Sequence, residues 1–142
     1  MKRTAKSLWH GSGKDGQGAL TTQSGTLKDT PYSFAKRFGD EQGTNPEELI
    51  AAAHAGCFNM ALAFALSGAG FPPQSLETKA TLSLDQKDGG WSITAVHLDL
   101  VAQVEKIGTE QFLEIVAGAK ANCPVSRVLK ADITLSVQFL PA

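Results

Sequence analysis

Residues 45–70 read NPEELIAAAHAGCFNMALAFALSGAG, and this stretch decides the fold. Asn45 is a good helix N-cap, and Pro46 suits the first helical position, where its missing N–H is no loss. Glu48 stands three residues after Asn45, the far member of a capping box. Glu47 and Glu48 both put negative charge at the positive end of the helix dipole. The spacing predicts a helix from Pro46 to about Ser67, stopped by Gly68 and Gly70 and barred from restarting by Pro72-Pro73. The run is long enough for a bilayer. However, His54, Gly56 and Asn59 interrupt it, much of the rest is Ala, and no Lys or Arg follows until Lys79. It therefore reads as a helix buried on nearly all sides of a soluble protein rather than a membrane span.

Strand patterns flank this helix. Before it, Gly16 to Leu27 reads as short strands with Gly25 at a turn, and Gly39-Asp40 and Gln42-Gly43 mark a loop. After it, Ala80, Leu82 and Leu84 alternate with Thr81, Ser83 and Asp85. Asp88-Gly89-Gly90 is a hairpin-type loop, and Val96, Leu98, Leu100, Ala102 and Val104 alternate on the return. Thr109 is placed to cap a second helix carrying Phe112, Ile115, Val116 and Ala119 at helical spacing. That helix weakens at Ala121-Asn122, and Cys123-Pro124-Val125-Ser126 opens a further helical turn. Ile133, Leu135, Val137 and Phe139 alternate in a last strand. The order is strands, helix, two strands, helix, strand. It predicts an α+β fold, with a mostly antiparallel sheet packed on the long central helix and a second helix.

The chain of 142 residues suits one domain, 1–142. Thirteen Lys and Arg face 14 Asp and Glu, for a net charge of −1, which argues against a nucleic-acid binder. Hydrophobic residues are 42% and aromatics 7%, so the core must be aliphatic and Ala-rich. The basic start, Lys2-Arg3-Thr4-Ala5-Lys6, precedes no apolar run of the kind a signal peptide needs. A cytoplasmic location is expected, with both cysteines normally reduced.

Those cysteines are Cys57 and Cys123. Cys57 lies midway along the apolar helix, where an inert core thiol is common. Cys123 precedes Pro124 at a helix start, where backbone N–H groups and the dipole favour a thiolate. A small cap residue without chemistry fits that position equally well. His54 and Cys57 share a helix face, so a metal site with Cys123 is one reading, but His10 and His97 lie in unrelated contexts and no Cys-x-x-Cys supports it. Glu48 has a local task in the capping box and Glu47 has none beyond the dipole. Arg37, between Lys36 and Phe38, fits a solvated surface charge. The Gly-rich residues 11–18 lack the Gly-Lys-Ser/Thr ending of a phosphate loop.

Three stretches taken together carry a resemblance: Gly43 to Phe58, Asn122 to Leu129, and Pro31-Tyr32-Ser33-Phe34 leading to Arg37-Phe38. Asn-Pro-Glu-x-Leu with a Cys ten residues after the Glu, joined to a Cys-Pro-x-Ser second site, resembles the OsmC/Ohr family of thiol-dependent organic hydroperoxide reductases. Ala52-Ala53-His54 ahead of Cys57, and Cys123-Pro124-Val125-Ser126, are similar to the OsmC branch. Gly56 departs from it, because Ala is usual there.

The resemblance implies that Cys57 is the peroxidatic cysteine and Cys123 the resolving one, joining as an intramolecular disulfide. It implies that Arg37 and Glu47 are the polar pair serving the thiolate. It further implies an intertwined homodimer with active sites at the subunit interface, an organic hydroperoxide as substrate, and a dithiol reductant such as dihydrolipoamide on a lipoylated protein. No metal, haem or other cofactor is implied. One constraint is independent of the family. Ten residues of helix separate Glu47 from Cys57 by about 15 Å along the axis. If both serve one site, the helix is broken or Glu47 comes from a partner chain. Two readings compete with a peroxidase: a binding protein for hydrophobic small molecules with idle thiols, and a His/Cys metal-binding protein.

Overall fold

In the computed structural model, which describes residues 1–141, the Gly-rich start of the chain folds as three antiparallel strands. They are β1 (Ala5–His10), β2 (Gln17–Thr22) and β3 (Thr30–Ser33), in the order β1-β2-β3. Gly18 sits between two rings, where an added Cβ would lie 2.3 Å from Tyr32 and 2.7 Å from Trp9, so this strand centre admits only glycine. Gly25 makes the expected turn at φ +77°. Pro31 lies on the edge strand β3, where a missing N–H does least harm. Ser33 then caps α1 (Phe34–Phe38), its hydroxyl accepting from the Lys36 N–H at 3.2 Å. Alternation and periodicity gave no sign of this short helix.

Residues Met1–Leu49 form one compact unit and Ile50–Ala142 a second. The long helix α2 (Pro46–Gly68) is unbroken from one end to the other, Gly56 included. Asn45 Oδ1 accepts from the Glu48 N–H at 2.8 Å, as a cap should. The return half of the capping box is not made, because the Glu48 carboxylate accepts from Thr44 Oγ1 instead, at 2.8 Å. Past the end, Gly70 at φ +91° donates to Ser67 O at 3.0 Å and Phe71 donates to Leu66 O at 2.8 Å, a Schellman stop.

In the second unit, β4 (Ser75–Lys87) and β5 (Gly90–Val104) form the expected hairpin. Asp88 and Gly89 turn it with φ of 51° and 80°, as a two-residue type I′ loop requires. α3 (Thr109–Asn122) and α4 (Pro124–Val128) lead to β6 (Asp132–Pro141), which pairs parallel to β5. The predicted α+β fold with mostly antiparallel pairing is therefore present. Thr109 is the first helical residue rather than the cap; Gly108 holds the cap position and makes no side-chain bond. Val96, Leu98, Leu100, Ala102 and Val104 of central β5 pack with Phe112 and Val116 of α3 and with Phe58, Leu62 and Leu66 of α2 in one core, which is mostly aliphatic but has two phenylalanines as its largest side chains.

The single chain does not bury α2 on nearly all sides. Its buried residues, His54, Phe58, Leu62 and Leu66, recur every fourth position and so form one stripe. On the opposite side Gly56, Met60 and Phe64 face outward, with Met60 65% and Phe64 75% exposed. A shallow groove of about 470 Å³ runs beside this open face, between Asn59, Met60 and Ala63 and the Gln74–Leu76 segment. The helix is apolar all round, but one chain covers only part of it.

Candidate active site

The second unit brings the two cysteines together. Cys57 comes from the middle of α2 and is half-buried. Cys123 is fully buried at the corner where α3 ends and α4 begins, with Pro124 as the first residue of α4. Both are free thiols, packed in the same core and near enough for each to shift the other's ionisation.

Their environments push them apart. Burial raises the Cys57 thiol; the Val125 N–H offsets part of this, while donation to Cys123 and the charge of a Cys123 thiolate raise it further. Burial would raise Cys123 as well. Its net shift is downward, because the Ser126 N–H, the Cys57 thiol, the Ser126 hydroxyl and the Val125 N–H all favour its thiolate. No full-geometry cap bond forms from the Cys123 side chain, so these N–H groups act as nearby dipoles rather than one strong bond. Within one chain, Cys123 is the more acidic thiol, and no cation is among the groups that shift Cys57.

Above this pair, His54 is 0% exposed and its Nε2 lies 2.8 Å from Ser126 Oγ. Burial holds the ring below the ordinary histidine value, so it is neutral at neutral pH. Nε2 is thus taken by Ser126, while Nδ1 is buried without a hydrogen-bond partner among the described residues. Among the described residues no three His, Cys, Asp or Glu side chains converge on a metal position. Ser126 was legible only as the fourth residue of Cys-Pro-x-Ser; its contact with His54 spans 72 residues of chain.

The first unit brings the two predicted charges together. Arg37 on α1 grips Glu47 with its fork: Nη2 to Oε1 at 2.6 Å, and Nε to Oε1 and Oε2 at 3.1 and 3.2 Å. The guanidinium carbon stands 5.0 Å from the centre of the Phe38 ring. Glu47 is thus the pairing carboxylate, while Glu48 serves the helix start. A larger cavity, about 670 Å³, lies at the end of the β4–β5 hairpin beside Lys130 and Asp132 and contains neither cysteine.

Residues 39–138 match the family model described as OsmC-like protein. The chain belongs to the OsmC family. It is 52% identical over 139 residues to peroxiredoxin OsmC of Escherichia coli, covering 98% of this chain and 97% of that one. It is 31% identical to organic hydroperoxide resistance protein OhrB of Bacillus subtilis, over 86% and 88% of the two chains. The crystal structure of that Bacillus subtilis protein superposes with a TM-score of 0.71 over 95% of this OsmC-family chain and 98% of its own, at 27% identity. Relatives of both named kinds thus share this sequence, and the Bacillus subtilis protein shares the fold.

Proposed function

We propose that this chain is a thiol peroxidase that reduces organic hydroperoxides, with Cys57 attacking and Cys123 resolving. The observation that carries the reading is the juxtaposition of two free thiols in one core, one on a helix and one at a helix start, in a chain whose relatives are named for peroxide chemistry. The Cys57 thiolate attacks one peroxide oxygen. The O–O bond breaks, and the departing alkoxide takes a proton to become the alcohol. Cys57 is left as sulfenic acid. The Cys123 thiolate then attacks Cys57 Sγ and expels hydroxide, which takes a proton to become water, closing the disulfide. A dithiol, such as dihydrolipoamide on a lipoylated protein, exchanges with that disulfide and restores both thiols. A cytoplasmic, reducing setting fits this need.

Arg37 and Glu47 complete the site in this reading. Half-buried Cys57 is raised by desolvation, a nearby cation offsets this, and a guanidinium stays charged when desolvated. Glu47 and Cys57 lie about 15 Å apart along one unbroken helix, so they cannot meet within it. A second copy supplying Arg37 and Glu47 answers this, and it also explains the open Gly56–Met60–Phe64 face. The active unit is thus a homodimer of single 1–142 domains, with its sites at the subunit interface. Phe64→Glu is expected to give monomers in sedimentation and to lose peroxidase activity together with the dimer. A charged Phe64 variant that stays dimeric would place the interface elsewhere.

The test of the chemistry is intact mass before and after one equivalent of an alkyl hydroperoxide. Each chain should lose two hydrogens, and digestion should yield one peptide linking Cys57 to Cys123. Stable intermolecular dimers joined at Cys123 would overturn the intramolecular disulfide.

A further inference from the structure

His54 is a buried base with no part in the chemistry above, yet its ring touches the machinery at one remove. Nε2 lies 2.8 Å from Ser126 Oγ, and Ser126, itself buried, sits on the first turn of α4 beside Cys123. Nδ1 is a buried side-chain atom with no hydrogen-bond partner among the described residues. A hydroxyl has one hydrogen. If Ser126 donates it to the Cys123 sulfur, its oxygen can only accept from His54, and the imidazole proton must sit on Nε2. The orphaned Nδ1 is then a bare lone pair rather than a stranded N–H. The alternative, with the proton on Nδ1, would bury an unpaired donor and turn the Ser126 hydrogen away from the sulfur.

We propose that His54 is a positioning residue for disulfide closure: its Nε2–H holds Ser126 so that the hydroxyl donates to Cys123 and keeps it as the attacking thiolate. The proposal rests on Cys123 being the resolving thiol. His54 does not remove the proton itself, because burial disfavours its charged form and keeps the ring neutral. It acts through the chain Nε2–H to Oγ, then O–H to Sγ, in which each bond polarises the next. The titratable groups that bear on one another at this point are Cys57 from α2 and Cys123 at the head of α4, with the His54 ring shifted by burial alone. Stabilising the thiolate lowers the pH at which Cys123 ionises, so losing the chain must raise it.

The test titrates the thiolate absorbance of Cys123 in a Cys57→Ser background. Ser126→Ala should raise the midpoint by about one pH unit, a roughly tenfold loss of thiolate at a given pH below it. His54→Phe and His54→Asn should raise it by about half as much, since the hydroxyl survives but is no longer held. His54→Gln should restore it, because its amide N–H reaches the place of Nε2 whereas that of Asn does not. With Cys57 present, closure after one equivalent of peroxide should slow in the same order. In the unsubstituted reduced protein, NMR of the ring nitrogens should find a neutral imidazole protonated at Nε2. A proton on Nδ1, or an unmoved midpoint in the folded His54 variants, overturns the proposal and leaves the peroxidase reading standing. If turnover shows that Cys123 attacks first, the assignment of roles falls, whatever the titration finds about the His54–Ser126 chain.

Discussion

Cys57→Ser is expected to lower peroxide consumption by more than about a thousandfold, since a hydroxyl at this position does not ionise and covalent catalysis is lost outright. Cys123→Ser should behave differently. It should still consume one equivalent of alkyl hydroperoxide and stop, leaving Cys57 as sulfenic acid or a higher oxide. The contrast matters because acidity within one chain points the other way: burial raises Cys57, while Cys123 is held below its ordinary value. The more acidic thiol is not automatically the attacker. Cys123 is fully buried, whereas Cys57 keeps some exposure and lies next to the open face of α2. The first step should speed up as pH rises through the Cys57 ionisation, because only its thiolate attacks. Single-turnover assays across pH with both variants check the whole assignment. An active Cys57→Ser beside a dead Cys123→Ser would reverse the roles.

What the sequence disclosed was mostly what depends on neighbours in the chain. Asn45, Pro46 and Gly70 set the ends of α2 through caps and a stop only a few residues long, and the structure has them there. Asp88-Gly89 fixed the hairpin for the same reason, and the alternation of Val96 to Val104 marked β5 as the core strand. Local rules failed where two local partners competed. Glu48 had a choice between the Asn45 N–H and the Thr44 hydroxyl, and it took the hydroxyl. Helix α1 spans five residues, too few for periodicity to register, and its one sign was Ser33 as a cap. The contacts that build the site are long-range. Cys57 meets Cys123, and His54 meets Ser126, across the β4–β5 hairpin and α3, and no spacing rule encodes that. The resemblance, not periodicity, singled out Cys57, Cys123, Arg37 and Glu47. His54 was passed over because a histidine among alanines has many structural uses. The extent of burial on α2 was also beyond local reading, since an apolar helix looks the same whether one chain covers it or two do.

Glu47→Gln is expected to keep the fold and lower the peroxide-dependent rate by about tenfold to a hundredfold, the span of one lost charge-assisted hydrogen bond near the reacting group. The neutral amide offers one acceptor where Arg37 now uses both carboxylate oxygens, at 2.6 to 3.2 Å. The fork is then free to swing, and a mobile guanidinium stabilises neither the Cys57 thiolate nor the leaving oxygen. Little stability is lost, because Arg37 is 37% exposed and partly solvated ion pairs contribute about 1 kcal/mol or less. Arg37→Lys should lose activity as well: an ammonium keeps the charge but cannot hold both oxygens or present a planar face to Phe38. Glu48→Gln is the control. Its N–H still reaches Asn45 Oδ1 and its side chain still accepts from Thr44, so both melting temperature and rate should stay close to the parent's. Thermal melts and single-turnover oxidation rates of the three proteins decide the matter. A slow Glu48→Gln beside a fully active Glu47→Gln would mean that the wrong carboxylate has been chosen. Full activity in all three would remove the Arg37–Glu47 pair from the mechanism and leave the ionisation of half-buried Cys57 to some other group.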